Sequence, residues 1–265
     1  MVTMADDVSR LVAIAAEKRR EVEEAKRRTP PDVVRAQALA ADPARDFESA
    51  LRGGFQLIGE VKRASPAAGR ISDDVDAAAM ARAFVAGGAR ALAVWTDAKH
   101  FNGDLALLRE MRAAAAVPVL CKEFILEPYQ VYESRAAGAD AILLIAAILG
   151  GSTLRDLIAL AASFGMAAPV SVHREVDVDA AVAAGARIVF VHNRNVGDFT
   201  VDLGKTARFK RRVPAGVLVV SESGIATPED VAAVRPYADA VLVGMGLMAS
   251  ADPAETVRGL LYAGR

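Results

Sequence analysis

Four phrases in the chain repeat one design. AGGARALAV (86–94), AAGADAILL (136–144), AAGARIVFV (183–191) and PYADAVLVG (236–244) each close a helix on small residues, usually including Gly, and turn through a short polar step into an apolar strand. The copies recur roughly every 50 residues, the length of two strand–helix units in a repeat architecture. Four copies therefore supply eight strands.

Apolar runs fall where that count requires them, at 55–61, 90–96, 117–121, 140–146, 168–172, 187–191, 217–221 and 239–243. Ala-rich amphipathic segments lie between them, at 75–87, 104–115, 127–137, 153–164, 175–184, 204–211, 227–235 and 253–262. The runs lack a polar alternation, as strands covered on both faces do. A flavodoxin-like open sheet needs fewer units and would not repeat so evenly. The expected fold class is α/β, a (β/α)8 TIM barrel over residues 51–265.

Residues 1–50 read as a helical N-terminal extension, too short to bury a core of their own. A charged helix over Asp6–Arg28 carries a narrow apolar stripe of Leu11, Ile14, Ala15 and Val22. Pro30 and Pro31 end it and open a second short helix near Asp32–Ala41.

Composition narrows the function classes. With 265 residues and a formal net charge of −1, the chain has no basic excess with which to bind nucleic acid. Cys121 is the single cysteine, so an intramolecular disulfide and a Cys-cluster metal site are both excluded; it reads as a small buried hydrophobe. The N-terminus is charged throughout and shows no targeting segment. The longest apolar run, Ala141–Leu149, is too short for a membrane span. The expectation is a soluble cytoplasmic protein without membrane or nucleic-acid partners.

Chemistry in such a barrel gathers at the C-terminal ends of the strands. In FQLIGEVKRASPAAG (55–69), alternation places Glu60 and Lys62 on one face of the first strand. The plainer reading of that pair is a surface ion pair on an edge strand. Other strand ends carry Trp95, Thr96 and Asp97; Lys122 and Glu123; Ser171 and His173; His192, Asn193 and Arg194; and Ser221, Glu222, Ser223 and Gly224. The fourth end stays apolar at Leu143–Ile145. The seventh and eighth strands end in SESGI and VGMGLM, Gly-containing turns whose N–H groups suit a phosphate, although glycines there can also simply end strands. Lys62 and Lys122 suit a general acid, a Schiff-base former or a fixed cation for a carboxylate or phosphate. His100, His173 and His192 are too scattered for a metal site, and none is expected.

GEVKRASPAAG, LAVWTDAKHFNGDLALLREMR, VPVLCKEFILEPYQVYESRAAGADAILLIAAIL, HNRNV and VVSESGIATPEDV together resemble the indole-3-glycerol-phosphate synthase family, from about Phe47 to Leu261. The resemblance implies a tryptophan-pathway carboxy-lyase without a cofactor, a monomer or weak homo-oligomer acting on a small phosphorylated molecule. The substrate it implies is 1-(2-carboxyphenylamino)-1-deoxyribulose 5-phosphate, which undergoes ring closure, loss of CO2 and dehydration. By the same resemblance Lys122 is the general acid, Lys62 holds the anthranilate carboxylate and assists later steps, and Glu60 orients Lys62. Arg194, Glu222 and Ser223 place the substrate, Phe101 and Phe124 line the aromatic pocket, and Ser65, Gly224 and the Gly244–Gly246 turn hold the phosphate.

The chain departs from the family pattern at two catalytic places. Its fifth strand reads VSVH, with Ser171 where the family has a Glu that acts as acid and base, and His192 stands where the sixth strand normally presents Asn. Met245 and Gly246 replace a more polar pair, and Asp104 stands for a Ser. Neighbouring strands would set Ser171 beside His192, where an imidazole aided by the hydroxyl can take over or alter the carboxylate's work. The competing readings are a hydrogen-bonding His192 in a weak or inactive enzyme, a diverged paralogue acting on a related amino-deoxyribulose phosphate, and a non-catalytic barrel that binds a phosphorylated ligand.

Overall fold

The computed structural model describes residues 5–72 and 74–264, with side chains from Val8 onward. The main sheet holds parallel strands β1 (Gln56–Val61), β2 (Ala91–Trp95), β3 (Val119–Lys122), β4, β5 (Val170–Val172), β6 (Ile188–His192), β7 (Leu218–Glu222) and β8 (Ala240–Val243). Strand β4 comes in two pieces, Ala141–Ile142 and Leu144–Ile145. The first pairs with β3 and the second with β5, while β1 pairs with β8, so the sheet closes on itself. The chain is a (β/α)8 TIM barrel. Closure leaves β1 no free edge, which removes the reading of Glu60 and Lys62 as an edge-strand ion pair.

Each strand is followed by a helix, at Ala77–Gly87, Leu105–Ala114, Pro128–Ala136, Gly151–Ser163, Glu175–Ala183, Gly204–Lys210, Pro228–Val234 and Pro253–Tyr262. The repeat glycines explain the even spacing. Gly88, Gly138 and Gly185 adopt φ of +108°, +95° and +87°, the left-handed step that ends a helix and turns the chain toward the next strand. The fourth phrase makes that turn with a short 3-10 segment, Arg235–Tyr237.

Alternation sorts the strand residues into two cores. Leu57, Val61, Leu92, Val94, Val119 and Cys121 face outward and pack with the helices. Burial pushes the Cys121 thiol up to about 12, as befits an inert packing group. Ile58, Ala93, Leu120, Phe190, Val220 and Leu242 form part of a second cluster inside the barrel. Two residues further along their strands, the same inward parity carries Glu60, Lys122, His192 and Glu222 to the C-terminal mouth.

The N-terminal segment serves both ends of the barrel. It forms α1 (Ala5–Arg28), α2 (Pro31–Ala40) and α3 (Phe47–Ala50). On α1, Leu11 and Ile14 join the inner cluster with Trp95, Phe101 and Phe124, all near the mouth. Val22 packs with Val34 of α2 and with Tyr129. Phe47 of α3 and Leu51 belong to the cluster that includes the first residues of β2, β4, β6 and β8, so they stop the opposite end. Among the described residues, no helix is long and apolar enough to cross a membrane.

Candidate active site

Three strands meet in one chain of charges. Lys122, the last residue of β3, donates from Nζ to Oε1 of Glu60 at 2.8 Å and to Oε2 of Glu222 at 2.9 Å. Lys62 Nζ donates to the other oxygen of Glu60 in a short contact. The indole Nε1 of Trp95 also donates to Glu60 Oε1, at 3.1 Å. Glu60, Lys122 and Glu222 are 2%, 3% and 1% exposed, so their charges persist only through this mutual pairing.

Burial and pairing pull each group in opposite directions, and pairing prevails. Burial would raise the Glu60 carboxyl, but the ammonium groups of Lys122 and Lys62 hold it at about 2. Burial would lower Lys122, but Glu222 and Glu60 raise it above the ordinary lysine range. Glu222 is likewise held well below the usual carboxylate range by Lys122 and the His192 contact, against the effect of burial.

Glu222 also receives Ser171 and His192. Ser171 Oγ donates to Oε1 at 2.8 Å, and His192 Nδ1 lies 3.3 Å from that same oxygen. The His192 ring rests against His173, centroids 4.6 Å apart. Burial, then the neighbouring His192, drives His173 well below the ordinary imidazole range.

A cavity of about 440 Å³ opens above these groups. Its apolar side includes Trp95, Phe101, Phe124, Leu143 and Ile145. Trp95 and Phe101 stack with centroids 3.6 Å apart and rings parallel to within 1°, and Phe124 tilts against Trp95 at 5.5 Å. The polar side includes Ser65, Arg194, Ser223, Gly224 and Gly244. Arg194 donates from Nε to Ser223 Oγ at 3.2 Å and from Nη1 to the Phe199 carbonyl at 3.0 Å. Ser223 and Gly224 adopt φ of +68° and +80°, a left-handed turn on which a Gly224 Cβ would strike Val201. Ser65 Oγ accepts the Ala68 N–H at 3.1 Å and thereby shapes the hairpin of Ala64–Ser65 and Gly69–Arg70.

The residues to which the family resemblance gives a role line this one cavity together with Ser171 and His192, except Gly246. Thr96, Asp97, Glu123, Asn193 and Ser221 of the strand ends do not line it. Gly246 is not part of the lining, and a Cβ there would lie 3.2 Å from the Ala226 carbonyl oxygen. Gly244 has a second duty besides the turn: a Cβ there would lie 2.2 Å from Glu60 Oε2. Among the described residues no three His, Cys, Asp or Glu side chains gather as a metal site requires.

Several site residues escaped the sequence reading. Arg10 of α1 lines the cavity, its guanidinium 4.7 Å above the Phe199 ring. Lys18, also on α1, is buried and reaches Asp97 at 2.7 Å and Glu123 at 3.1 Å, fastening the helix to the rim beside Lys122. Burial raises the Glu123 carboxyl to about 7, even against the offsetting charge of Lys18. The spacing 11–14–15–18–22 would have found Lys18, because it falls on the apolar stripe of the helix.

A family model described as indole-3-glycerol phosphate synthase matches residues 11–260. The chain belongs to the indole-3-glycerol phosphate synthase family. An indole-3-glycerol phosphate synthase of Roseiflexus sp. (strain RS-1) is 45% identical over 258 residues, covering 93% of this chain and 96% of the relative. One from Chlorobium phaeovibrioides is 44% identical over 246 residues, covering 91% and 95%. One from Chromobacterium violaceum is 43% identical over 259 residues, covering 96% and 98%. A thiamine phosphate pyrophosphorylase from Pyrococcus furiosus shares the barrel alone, with a TM-score of 0.59, 17% identity, and coverage of 78% of this chain and 93% of that one. Against the indole-3-glycerol phosphate synthase pattern, the two departures Ser171 and His192 are partners in space, joined through one oxygen of Glu222.

Proposed function

We propose that this chain is a cytoplasmic carboxy-lyase of the indole-3-glycerol phosphate synthase type. It closes 1-(2-carboxyphenylamino)-1-deoxyribulose 5-phosphate to the indole with loss of CO2 and water. Residues 51–265 act as the catalytic barrel and residues 1–50 as an extension seated on it. Every group invoked comes from one chain, so a monomer suffices. The carrying observation is Lys122 held between Glu60 and Glu222 at the floor of a cavity with one aromatic and one polar side.

In this reading, the anthranilate ring lies among Phe101, Phe124 and Trp95, and the ring carbon bearing the carboxylate attacks the ribulose carbonyl. The carbonyl oxygen becomes an alkoxide, far more basic than an amine, and Lys122 protonates it even with its proton affinity raised. Lys62, oriented by Glu60, holds the carboxylate until it leaves as uncharged CO2. Arg194 and Ser223 fix the substrate's position and Glu222 orients the side chains beneath it, while Ser65, Gly224 and Gly244 take the phosphate. His192, aided by Ser171, serves the proton transfers that a carboxylate at position 171 would otherwise serve.

The test is a mass-spectrometric assay of the purified chain with this substrate. A product lighter by one CO2 and one water, with indole absorbance, supports the reading. Tight binding without turnover, or a product that keeps its carboxylate, overturns it.

A further inference from the structure

Glu222 is usually the kind of residue one assigns to substrate placement, but its oxygens are already engaged within the protein. Oε2 accepts from Lys122 at 2.9 Å, and Oε1 accepts from Ser171 at 2.8 Å with His192 Nδ1 at 3.3 Å. It is held ionised by these neighbours and has no proton to offer. The hydrogen in the contact with His192 therefore sits on Nδ1 of the imidazole. A neutral imidazole protonated at Nδ1 presents a bare lone pair at Nε2.

The surroundings hold that ring in place. Lys205 Nζ donates to the His192 carbonyl at 3.1 Å, and the His173 ring packs against it. Among the described residues, Glu222, His173 and Lys205 lie against His192, and burial holds His173 well below the ordinary imidazole range. His192 lines the cavity, with 20% of its side chain exposed.

We propose that Glu222 is a positioning residue that locks His192 as the Nδ1–H tautomer and so makes His192 Nε2 the general base of the dehydration step. This rests on the carboxy-lyase reading. After CO2 has left, Nε2 takes a proton from the methylene carbon between the ring nitrogen and the hydroxyl-bearing carbon. The C–H electron pair becomes the new ring double bond, and the carbon–oxygen bond breaks. The oxygen departs as water, carrying a proton from Lys62, which no longer has the substrate's carboxylate to hold. His192 gains one proton and Lys62 loses one, so the charge of the site is unchanged, and both exchange with solvent to reset. The carboxylate of the family's fifth strand is thus replaced by an imidazole whose orienting carboxylate comes from the seventh.

The test uses the full chain labelled with 15N-histidine, in which the three histidines are resolved and His192 is assigned by its loss in His192→Asn. The expected wild-type spectrum shows His192 protonated at Nδ1 near neutral pH. In Glu222→Gln, Lys122 retains the amide oxygen, the amide NH2 faces His192, and the ring switches to Nε2–H. Glu222→Gln should lower kcat by about 100-fold with little change in KM, and the acid limb of the wild-type kcat–pH profile should vanish in His192→Asn. An Nε2–H tautomer in the wild type overturns the proposal whether or not Glu222→Gln folds, and so does an acid limb that survives in His192→Asn. An Nδ1–H ring in a protein that releases no CO2 from the substrate upholds the Glu222–His192 pairing and overturns the carboxy-lyase reading.

Discussion

A methyl group on Gly244 would sit 2.2 Å from Oε2 of Glu60. Glu60 has no room to yield, because Lys122, Lys62 and Trp95 hold its two oxygens. Gly244→Ala should therefore displace Glu60 from Lys122 and reduce kcat by about 100-fold. Its cost in stability should stay within about 1–3 kcal/mol, the ordinary range for overpacking. Steady-state kinetics beside thermal unfolding checks both, and a fully active Gly244→Ala would contradict the placement of Glu60.

Lys122→Met should injure fold and activity together. It leaves Glu60 and Glu222 buried without their shared cation, at a cost of about 3–5 kcal/mol. The loss should depend on pH with a defined sign. The Glu60 carboxyl is held at about 2 in the fold against an ordinary 4.5, so its contribution is fully present above 4.5 and is lost as pH falls toward 2. The stability gap between wild type and Lys122→Met should accordingly narrow over that window in denaturant titrations.

Glu123 gives the opposite sign. Burial raises its carboxyl from 4.5 to about 7, so the fold binds its proton more tightly than the unfolded chain does. The associated stability is present below 4.5 and is lost as pH rises through 7. Replacing it by Gln should flatten the fall in Tm across that interval relative to wild type, while an unchanged slope would rule out a raised Glu123. Lys18→Met, which strands Asp97 and Glu123, should loosen α1 and raise KM several-fold, because Leu11 and Ile14 of that helix pack with the aromatic residues of the mouth.

Ser171→Glu and His192→Asn should couple. Ser171→Glu alone sets a second carboxylate against Glu222 Oε1, where like charges cannot both ionise easily. His192→Asn alone removes the imidazole and should lower kcat by about 100-fold. Together they restore the family's pair, and the double variant should recover at least about tenfold over His192→Asn, a non-additivity expected of contacting residues. Strictly additive losses would contradict the shared site. A wild type without turnover beside an active double variant would contradict the assignment of the natural protein.

Much of this arrangement is legible in the chain itself. The helix-closing glycines at 88, 138 and 185 mark the beat of the barrel, and inward parity along each strand places Glu60, Lys62, Lys122 and His192 at the mouth. Contacts across the barrel are not legible, because nothing local links Lys122 to Glu222, which lies 100 residues away. Gly244 read as a turn residue, since only packing reveals Glu60 behind it. Lys18 falls on the apolar stripe of its helix, but its partners Asp97 and Glu123 are not legible because they sit on loops distant in sequence. The break in β4 was hidden within a continuous apolar run, where periodicity carries no mark of a change in strand partner.

The account stands most directly on release of CO2 from the substrate labelled with 13C at its carboxylate, followed in the wild type and in Lys122→Met. The expected result is labelled CO2 matched mole for mole by indole product in the wild type, with a rate at least about 1,000-fold lower in Lys122→Met. Retention of the 13C in the product, or equal CO2 release by the two proteins, would contradict it.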